Sequence, residues 1–229
     1  MSLDIKKHRI VMINILKDII TSPYGKILWF KWGMLLYFLY NLDRFSTDLD
    51  FDLLSKVDEE KMLNDLSQIC SKHGKIKDIY NKENTLFLLI DYQQHEMNIK
   101  IEISKKTKKS DTYSYKSILW YQALCMDSDC LFANKLIALT QRNRIVSRDL
   151  YDVHFFLKNG FGINPAVIKE KIGKSVSAYL KEVLAFIPKN FNKENLLAGL
   201  GELVHEKQKV FIKDKLIDET CEYLKLIIK

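Results

Sequence analysis

The chain has 229 residues, of which 47% are hydrophobic, and these values fit one large domain or two small ones around a packed core. Its 36 basic and 29 acidic residues give a formal net charge of +7, which favours an anionic partner such as RNA, DNA or a nucleoside triphosphate. No apolar run reaches the roughly 18 residues of a membrane span and no secretion signal begins the chain, so we expect a cytoplasmic protein without a membrane partner.

Predicted helices and strands alternate in the first half of the chain. Apolar periodicity predicts helices over about 5–20 and 58–72, and the segment 27–41 is so rich in apolar and aromatic residues that it must be largely buried. Strand-like alternation follows at about 47–54, 75–80, 85–92 and 96–104.

Beyond about residue 110 the pattern becomes helical. Helices are predicted at about 129–143, 148–158, 165–187, 193–212 and 214–228. Asn164 before Pro165 is typical of an N-cap and a first helical turn. The sequence therefore predicts an α+β fold, with a mixed β-sheet flanked by helices over 1–110 and an all-helical domain over 111–229.

The strand over 47–54 has one acidic face. Asp48, Asp50 and Asp52 point to one side, and Leu49 and Phe51 point to the other. Residues two apart on a strand have Cα atoms about 6.6 Å apart, so the side chains of Asp48 and Asp50 can converge on shared cations. Mg²⁺ prefers carboxylate and phosphate oxygens, and two ions about 4 Å apart can hold the attacking and leaving oxygens of a phosphoryl transfer. The pattern therefore indicates a site for two Mg²⁺ ions.

Glu102 is the candidate for a third carboxylate at this site. It lies on the polar face of the strand over 96–104, between Ile101 and Ile103. That strand could pair beside 47–54, but the pairing itself is not visible in the sequence.

Two other interpretations of the acidic strand are open. Asp48, Asp50, Asp52 and Glu59 occupy positions 1, 3, 5 and 12 of a calcium-binding EF-hand loop, but the glycine required at position 6 is replaced by Leu53. The segment could instead be a solvated acidic strand at the edge of a sheet.

Two blocks of sequence resemble a known family. The run Arg44-Phe45-Ser46-Thr47-Asp48-Leu49-Asp50-Phe51-Asp52 resembles the R-F-S-x-D-L-D-F-D signature of the AbiEii/AbiGii toxin family of nucleotidyltransferases. The segment 133–142, followed by Arg148-Asp149-Leu150-Tyr151-Asp152, resembles that family's A-x-K-L-x-A-L…R-D-L-x-D element. The resemblance covers about residues 25–160.

The resemblance implies a DNA polymerase β-like nucleotidyltransferase core, whose active-site cleft a helical C-terminal domain completes. It implies a toxin of toxin–antitoxin or phage-defence type that adds nucleotides to an acceptor such as the tRNA 3′ end, using a nucleoside triphosphate and two Mg²⁺ ions. A cognate antitoxin would be its protein partner. The acceptor in the wider superfamily is sometimes a small molecule or a protein.

The same resemblance assigns roles to individual residues. Asp48 and Asp50 would bind the metal ions, and Lys135 would hold nucleotide phosphates. Glu102 is the candidate third metal ligand from the strand pattern alone. One acid of the second block would be catalytic, with Asp149 and Asp152 both open. The residues assigned to nucleotide binding are Gly33, Arg44, Ser46, Lys135 and Arg148.

One segment departs from the family pattern. Where the family has K-G-G-T, at a strand-to-helix turn that brings backbone N–H groups against the triphosphate, this chain has Lys31-Trp32-Gly33-Met34. One glycine and the hydroxyl are missing, and Trp32 would obstruct close approach of phosphate. The alternative function is therefore a catalytically impaired scaffold that binds RNA or a protein partner.

Overall fold

The acidic strand lies in the middle of a seven-stranded sheet. A computed structural model describes residues 4–93, 97–106 and 108–228 of the chain. The strands are β1 (Leu28–Lys31), β2 (Asp48–Leu53), β3 (Lys75–Lys82), β4 (Thr85–Asp91), β5 (Ile99–Ser104), β6 (Tyr113–Ile118) and β7 (Tyr121–Met126). Their order is β3-β4-β5-β2-β1-β7-β6. The sheet is mixed, because β2 is parallel to β5 and antiparallel to β1, and β1 is parallel to β7.

Alternation along the central strands gives the sheet one apolar face. Leu49 and Phe51 of β2 are fully buried, as are Ile101 and Ile103 of β5. The helices of this part of the chain are α1 (Ile5–Thr21), α2 (Trp32–Tyr40) and α3 (Glu59–Ser71). α3 packs against β3 and β4, and α1 packs against α3 and β7. Burial of these aliphatic and aromatic groups supplies most of the driving force for this part of the fold.

The second part of the chain is helical. Its helices are α4 (Ser128–Gln141), α5 (Ser147–Lys158), α6 (Pro165–Ile172), α7 (Val176–Asn190), α8 (Glu206–Asp214) and α9 (Leu216–Ile227), with a 3₁₀ turn at Gly201–Leu203. α5 packs against α4 and α9. The predicted cap of α6 is present, because the Asn164 side chain accepts hydrogen bonds from the backbone N–H groups of Ala166 at 3.0 Å and Val167 at 3.3 Å.

The predicted fold class, a mixed sheet with flanking helices followed by a helical region, is confirmed. The boundary lies elsewhere, because the chain divides into two units at 1–126 and 127–229 rather than near residue 110. The difference is the β6–β7 hairpin, which belongs to the sheet. Its turn contains Leu119 and Trp120 rather than glycine or asparagine, and Leu119 adopts a φ of 56°. The sequence of this turn therefore does not predict a hairpin.

Two predicted helices are shorter than expected. The segment 165–187 forms two helices, because Gly173 ends α6 with a φ of 81° and the Ser175 side chain caps α7 by accepting a hydrogen bond from the N–H of Ala178 at 3.3 Å. The segment 193–212 begins with turns, and α8 starts only at Glu206. Residue 96, the expected start of β5, lies outside the described residues. Within the described ranges, no helix has the length and apolar character needed to cross a membrane.

Candidate active site

The predicted carboxylates lie side by side on the polar face of the sheet. Asp48 pairs with Lys100 and Asp50 pairs with Glu102 across the parallel β2 and β5 strands. Residues directly paired across two strands project to the same face, so Glu102 lies beside Asp50 as expected. Because β2 is paired on both sides, the edge-strand interpretation is wrong. The calcium-loop interpretation is also wrong, because residues 48–53 form an extended strand.

Lys100 lies between two of the predicted metal ligands. Its Nζ atom is 3.1 Å from Asp48 Oδ2 and 3.5 Å from Glu102 Oε2. Burial lowers the pKa of Lys100, but the charges of Asp48, Glu102 and Asp50 outweigh it and raise the pKa above the usual value. Sequence reasoning missed this residue, although its alternation with Ile99 and Ile101 places it on the same face as Glu102.

Asp52 is held by two neighbours. Its Oδ1 atom accepts a hydrogen bond from Lys31 Nζ at 2.6 Å, and its Oδ2 atom accepts one from the Tyr113 hydroxyl at 2.9 Å. The Tyr113 ring packs against Trp29 with a centroid distance of 3.9 Å. Because both carboxylate oxygens are engaged and the residue is only 3% exposed, Asp52 supports the strand. Lys31 and Tyr113 were not predicted as parts of the site.

Asp50 has an unusual affinity for a proton. Burial, followed by the neighbouring charge of Asp48, raises the pKa of its carboxyl group from 3.8 to about 7, and Lys100 and Lys31 oppose this increase. Two carboxylates on adjacent positions of one strand face repel each other, and a cation between them offsets that repulsion. Additional positive charge beside Asp48 and Asp50 would therefore be stabilising.

The donor set fits Mg²⁺ in its chemistry. Asp48, Asp50 and Glu102 offer only oxygen ligands, and the position of Lys100 Nζ shows that one cationic group can contact two of them together. In the part of the chain that the structure describes, no three His, Cys, Asp or Glu side chains have already converged as a metal site. A metal ion would therefore require small side-chain movements, including displacement of the flexible Lys100 chain.

The turn between β1 and α2 brings together three predicted nucleotide-binding residues. A Cβ atom on Gly33 would lie 2.7 Å from Ser46 Oγ and 3.4 Å from Arg44 Nη2, so a larger residue here would displace the Ser46 side chain. Arg44 and Ser46 are both buried, and Arg44 Nη1 donates a hydrogen bond to the Phe45 carbonyl oxygen at 3.1 Å. The N-terminus of α2 has no side-chain cap, so the positive end of the helix dipole lies at this turn.

Trp32 adopts a strained backbone conformation at the same turn. Its φ of 65° is in the left-handed region that favours glycine, and it stands where the related family has its first glycine. Lys31 Nζ lies 5.6 Å from the centroid of its indole ring, a distance suited to a cation–π contact. The turn thus keeps the conformation that a glycine would adopt, with an indole added.

A second group of predicted residues lies in the helical unit. Lys135 Nζ of α4 is 3.1 Å from Asp149 Oδ1 and 2.9 Å from Asp152 Oδ2, both on α5. Arg142 Nε lies 3.0 Å from Asp149 Oδ2. The Lys135, Asp149 and Asp152 side chains are at most 5% exposed. The anion that a buried lysine needs is therefore supplied by the protein, and both candidate acids contact it.

Arg148, the remaining predicted nucleotide-binding residue, does not belong to this ion-pair cluster. It lies in the first turn of α5, is half-buried and lines a cavity of the helical unit together with Arg144. The predicted site residues thus form two clusters, one in each unit, with Arg148 beside the second.

Comparisons with known proteins agree with the fold. The family model described as "Nucleotidyl transferase AbiEii toxin, Type IV TA system" matches residues 14–219. A crystal structure from H. pylori, provisionally titled a nucleotidyltransferase, is similar with a TM-score of 0.60 and 21% identity, covering 99% of each chain. The crystal structure of JHP933 from Helicobacter pylori is similar with a TM-score of 0.56 and 20% identity, covering 99% of this chain and 96% of that one. Among curated proteins, no match was found.

We expect an Asp50→Asn substitution to stabilise the protein in a pH-dependent way. Because the pKa of Asp50 is raised on folding, its contribution to stability is complete below about pH 4 and is lost as pH rises toward about 7. The melting temperature of the variant should exceed that of the wild type at pH 8 by a few degrees, equivalent to roughly 1–2 kcal/mol, and by much less at pH 5. Calorimetric melting at both pH values measures this. An equal difference at pH 5 and pH 8 would contradict the raised pKa.

We expect Lys135→Met to destabilise the helical unit strongly. Removal of the ammonium takes away the cation that the buried Asp149 and Asp152 carboxylates share, which costs about 3–5 kcal/mol even with Arg142 beside Asp149. Urea unfolding followed by circular dichroism should show a lower midpoint, and adding Asp149→Asn and Asp152→Asn to the Lys135→Met background should recover part of the loss. The exposed Lys181→Met on α7 is the matched control and should change stability by less than about 0.5 kcal/mol. An unchanged midpoint for Lys135→Met would show that the lysine has no structural role.

Proposed function

Because the chain belongs to the AbiEii family of toxin nucleotidyltransferases, we propose that it transfers a nucleoside monophosphate from a nucleoside triphosphate to an RNA 3′ end, with tRNA as the acceptor, in a Mg²⁺-dependent reaction. The observation that carries this proposal is the juxtaposition of Asp48, Asp50 and Glu102 on adjacent central strands. Their oxygens suit a metal-assisted phosphoryl transfer better than any other chemistry.

The carboxylates hold and orient the reacting groups. Asp48 and Asp50 would hold the metal ions with Glu102, and Lys100 would move aside as they bind. When bound, two Mg²⁺ ions neutralise phosphate charge and align the attacking and leaving oxygens. The raised pKa of Asp50 means that this carboxyl gives up a proton when positive charge arrives.

The chemical step requires one proton acceptor. The acceptor 3′ oxygen forms a bond to the α-phosphorus, the bond between the α-phosphorus and the oxygen that bridges to the β-phosphate breaks, and pyrophosphate leaves. Glu102 takes the hydroxyl proton in this proposal, because its side chain is 43% exposed and so can approach an incoming acceptor. Lys100 Nζ lies 3.5 Å from Glu102 Oε2 and so places a positive charge beside this carboxylate.

The β1–α2 turn would receive the phosphates. The uncapped N-terminus of α2 offers backbone N–H groups, and the Arg44 guanidinium lies beside Gly33 at the same turn. Gly33 and Ser46 shape the turn by their close approach. Trp32 would have to rotate away from the incoming phosphates.

The roles proposed for Lys135, Asp149 and Asp152 come from the family resemblance. Lys135 would hold nucleotide phosphate, and Asp149 or Asp152 would be the functional acid of the second block. A phosphate at Lys135 Nζ would have to replace one of the carboxylates that contact it. Arg148 would contribute charge toward the nucleic acid.

The chain belongs to a family of toxins, and this membership suggests its biological role. We infer a toxin of toxin–antitoxin and phage-defence type, whose activity on RNA arrests growth and whose effect a cognate antitoxin opposes. The +7 net charge of the chain is consistent with an RNA acceptor.

The strained turn favours a second candidate function. Trp32 with its φ of 65° and the filled space around Gly33 would suit a catalytically impaired scaffold that binds RNA or a protein without transferring a nucleotide. Calorimetry with each triphosphate and Mg²⁺ separates the two functions, because the scaffold would show no metal-dependent binding.

We expect purified protein to label total tRNA with at least one radioactive triphosphate in the presence of Mg²⁺. Asp48→Asn and Asp50→Asn should each reduce the rate at least about 100-fold, or roughly 2.7 kcal/mol of barrier. Asp78→Asn, which removes an exposed carboxylate from β3 of the same sheet, is the matched control and should retain activity. Full activity of the Asp48→Asn protein would refute the assignment. Label found in a small molecule or a protein, rather than in tRNA, would show that the acceptor belongs to that class instead.

We expect Trp32→Gly to bind nucleoside triphosphate more tightly. Glycine adopts the left-handed φ without strain and removes the indole from the path of the phosphates. Calorimetry with Mg²⁺ should show an affinity at least about fivefold higher, equivalent to roughly 1 kcal/mol. An affinity equal to or below that of the wild type would mean that Trp32 does not limit access to the turn.

A further inference from the structure

A cavity of about 390 Å³ lies in the helical unit, and its lining does not include Lys135, Asp149 or Asp152. Its walls are the segment 144–148, the residues Asn190 and Phe191 at the end of α7, and a turn containing Asn195 and Gly199. The Ser147 hydroxyl donates a hydrogen bond to the Asn195 carbonyl oxygen at 3.2 Å, which ties the turn to the start of α5. The cavity is thus built from segments that the fold holds together.

The charged residues that line the cavity are both cations. Arg144 is exposed and Arg148 is half-buried, and neither forms an ion pair or hydrogen bond with any residue in the described ranges. None of the lining residues is acidic. Because a guanidinium group stays charged at every accessible pH, two uncompensated positive charges face this space. Such a surface favours an anionic ligand.

Two further features of the cavity restrict the chemical class of ligand that it could bind. α5 begins at Ser147, and its N-cap residue Val146 has no side chain that could accept a hydrogen bond, so the first N–H groups of the helix add positive potential at the cavity wall. The other walls are apolar, with Phe191 buried and Ile145 40% exposed. A ligand that carries phosphate next to a sugar or base would satisfy both kinds of wall, whereas inorganic phosphate would use only the charged one.

We propose that this cavity binds the phosphodiester backbone of single-stranded RNA, with Arg144 and Arg148 on its phosphates and with Ile145 and Phe191 against a sugar or base. The cavity admits about one nucleotide unit, which excludes a duplex. It has no carboxylate for the Mg²⁺ that accompanies a triphosphate, so it suits an RNA strand better than a free nucleotide. This inference rests on the proposed function, because it assigns a binding site to the acceptor RNA.

Fluorescence anisotropy with a labelled single-stranded oligoribonucleotide of about ten residues tests the site directly. Measurement in EDTA without triphosphate separates binding from catalysis. Arg144→Gln combined with Arg148→Gln should weaken binding at least about tenfold. The slope of log affinity against log salt concentration should fall by about 1.4, because each single-strand phosphate contact contributes about 0.7. Lys181→Gln, which removes one exposed charge from α7, is the control and should change affinity less than about twofold.

Three outcomes would overturn the proposal. These are a double variant no weaker than Lys181→Gln, a duplex that binds as tightly as the single strand, and polyglutamate that competes as well as unlabelled RNA. Unchanged melting of the double variant shows that it is folded. The two proposals fail separately: Asp48→Asn should abolish transfer and leave RNA affinity in EDTA unchanged, whereas unweakened RNA binding by the double variant would refute the RNA site and leave the assignment of Asp48 untouched.

Discussion

Repulsion among carboxylates on one face of the central strands is the constraint on which the site depends. The acidic residues on this face are Asp48, Asp50, Asp52 and Glu102, and the basic residues beside them are Lys31 and Lys100. Lys31 engages Asp52 and Lys100 engages Asp48 and Glu102, which leaves the face with more negative than positive charge. Burial first, and then the charge of Asp48, raise the pKa of Asp50 to about 7. A face arranged in this way stabilises an incoming cation.

Burial of the apolar side of the same strands stabilises this arrangement of charges. Leu49 and Phe51 alternate with the acids and are fully buried, and removal of a buried phenylalanine side chain typically costs about 3–5 kcal/mol. Burial on one side holds β2 between β1 and β5, so the acids on the other side cannot separate. Electrostatic strain at the site is therefore offset by packing beneath it, as is common where a binding site is built on a rigid element.

The sequence predicted local features well because their signals are local. Strict alternation identified β2 and β5, and Asn164 before Pro165 identified the start of α6. The parallel pairing of β2 with β5 joins distant segments and has no local signal, so Glu102 was only a candidate neighbour. The partners of Asp52 could not be foreseen for the same reason, because Tyr113 comes from a hairpin whose turn lacks the usual residues. Family resemblance, rather than periodicity, suggested Lys135, and only the structure shows that two aspartates neutralise it.

Metal binding at the β2–β5 face tests the account most directly. Electron paramagnetic resonance can count Mn²⁺, used in place of Mg²⁺, on the full-length protein with a non-hydrolysable triphosphate. The account predicts two bound ions for the wild type, and loss of both after combined Asp48→Asn and Asp50→Asn substitution. It also predicts tighter binding after Lys100→Met, because this substitution removes the competing ammonium. Bound Mn²⁺ that is insensitive to Asp48 and Asp50, or no bound Mn²⁺ at all, would contradict it.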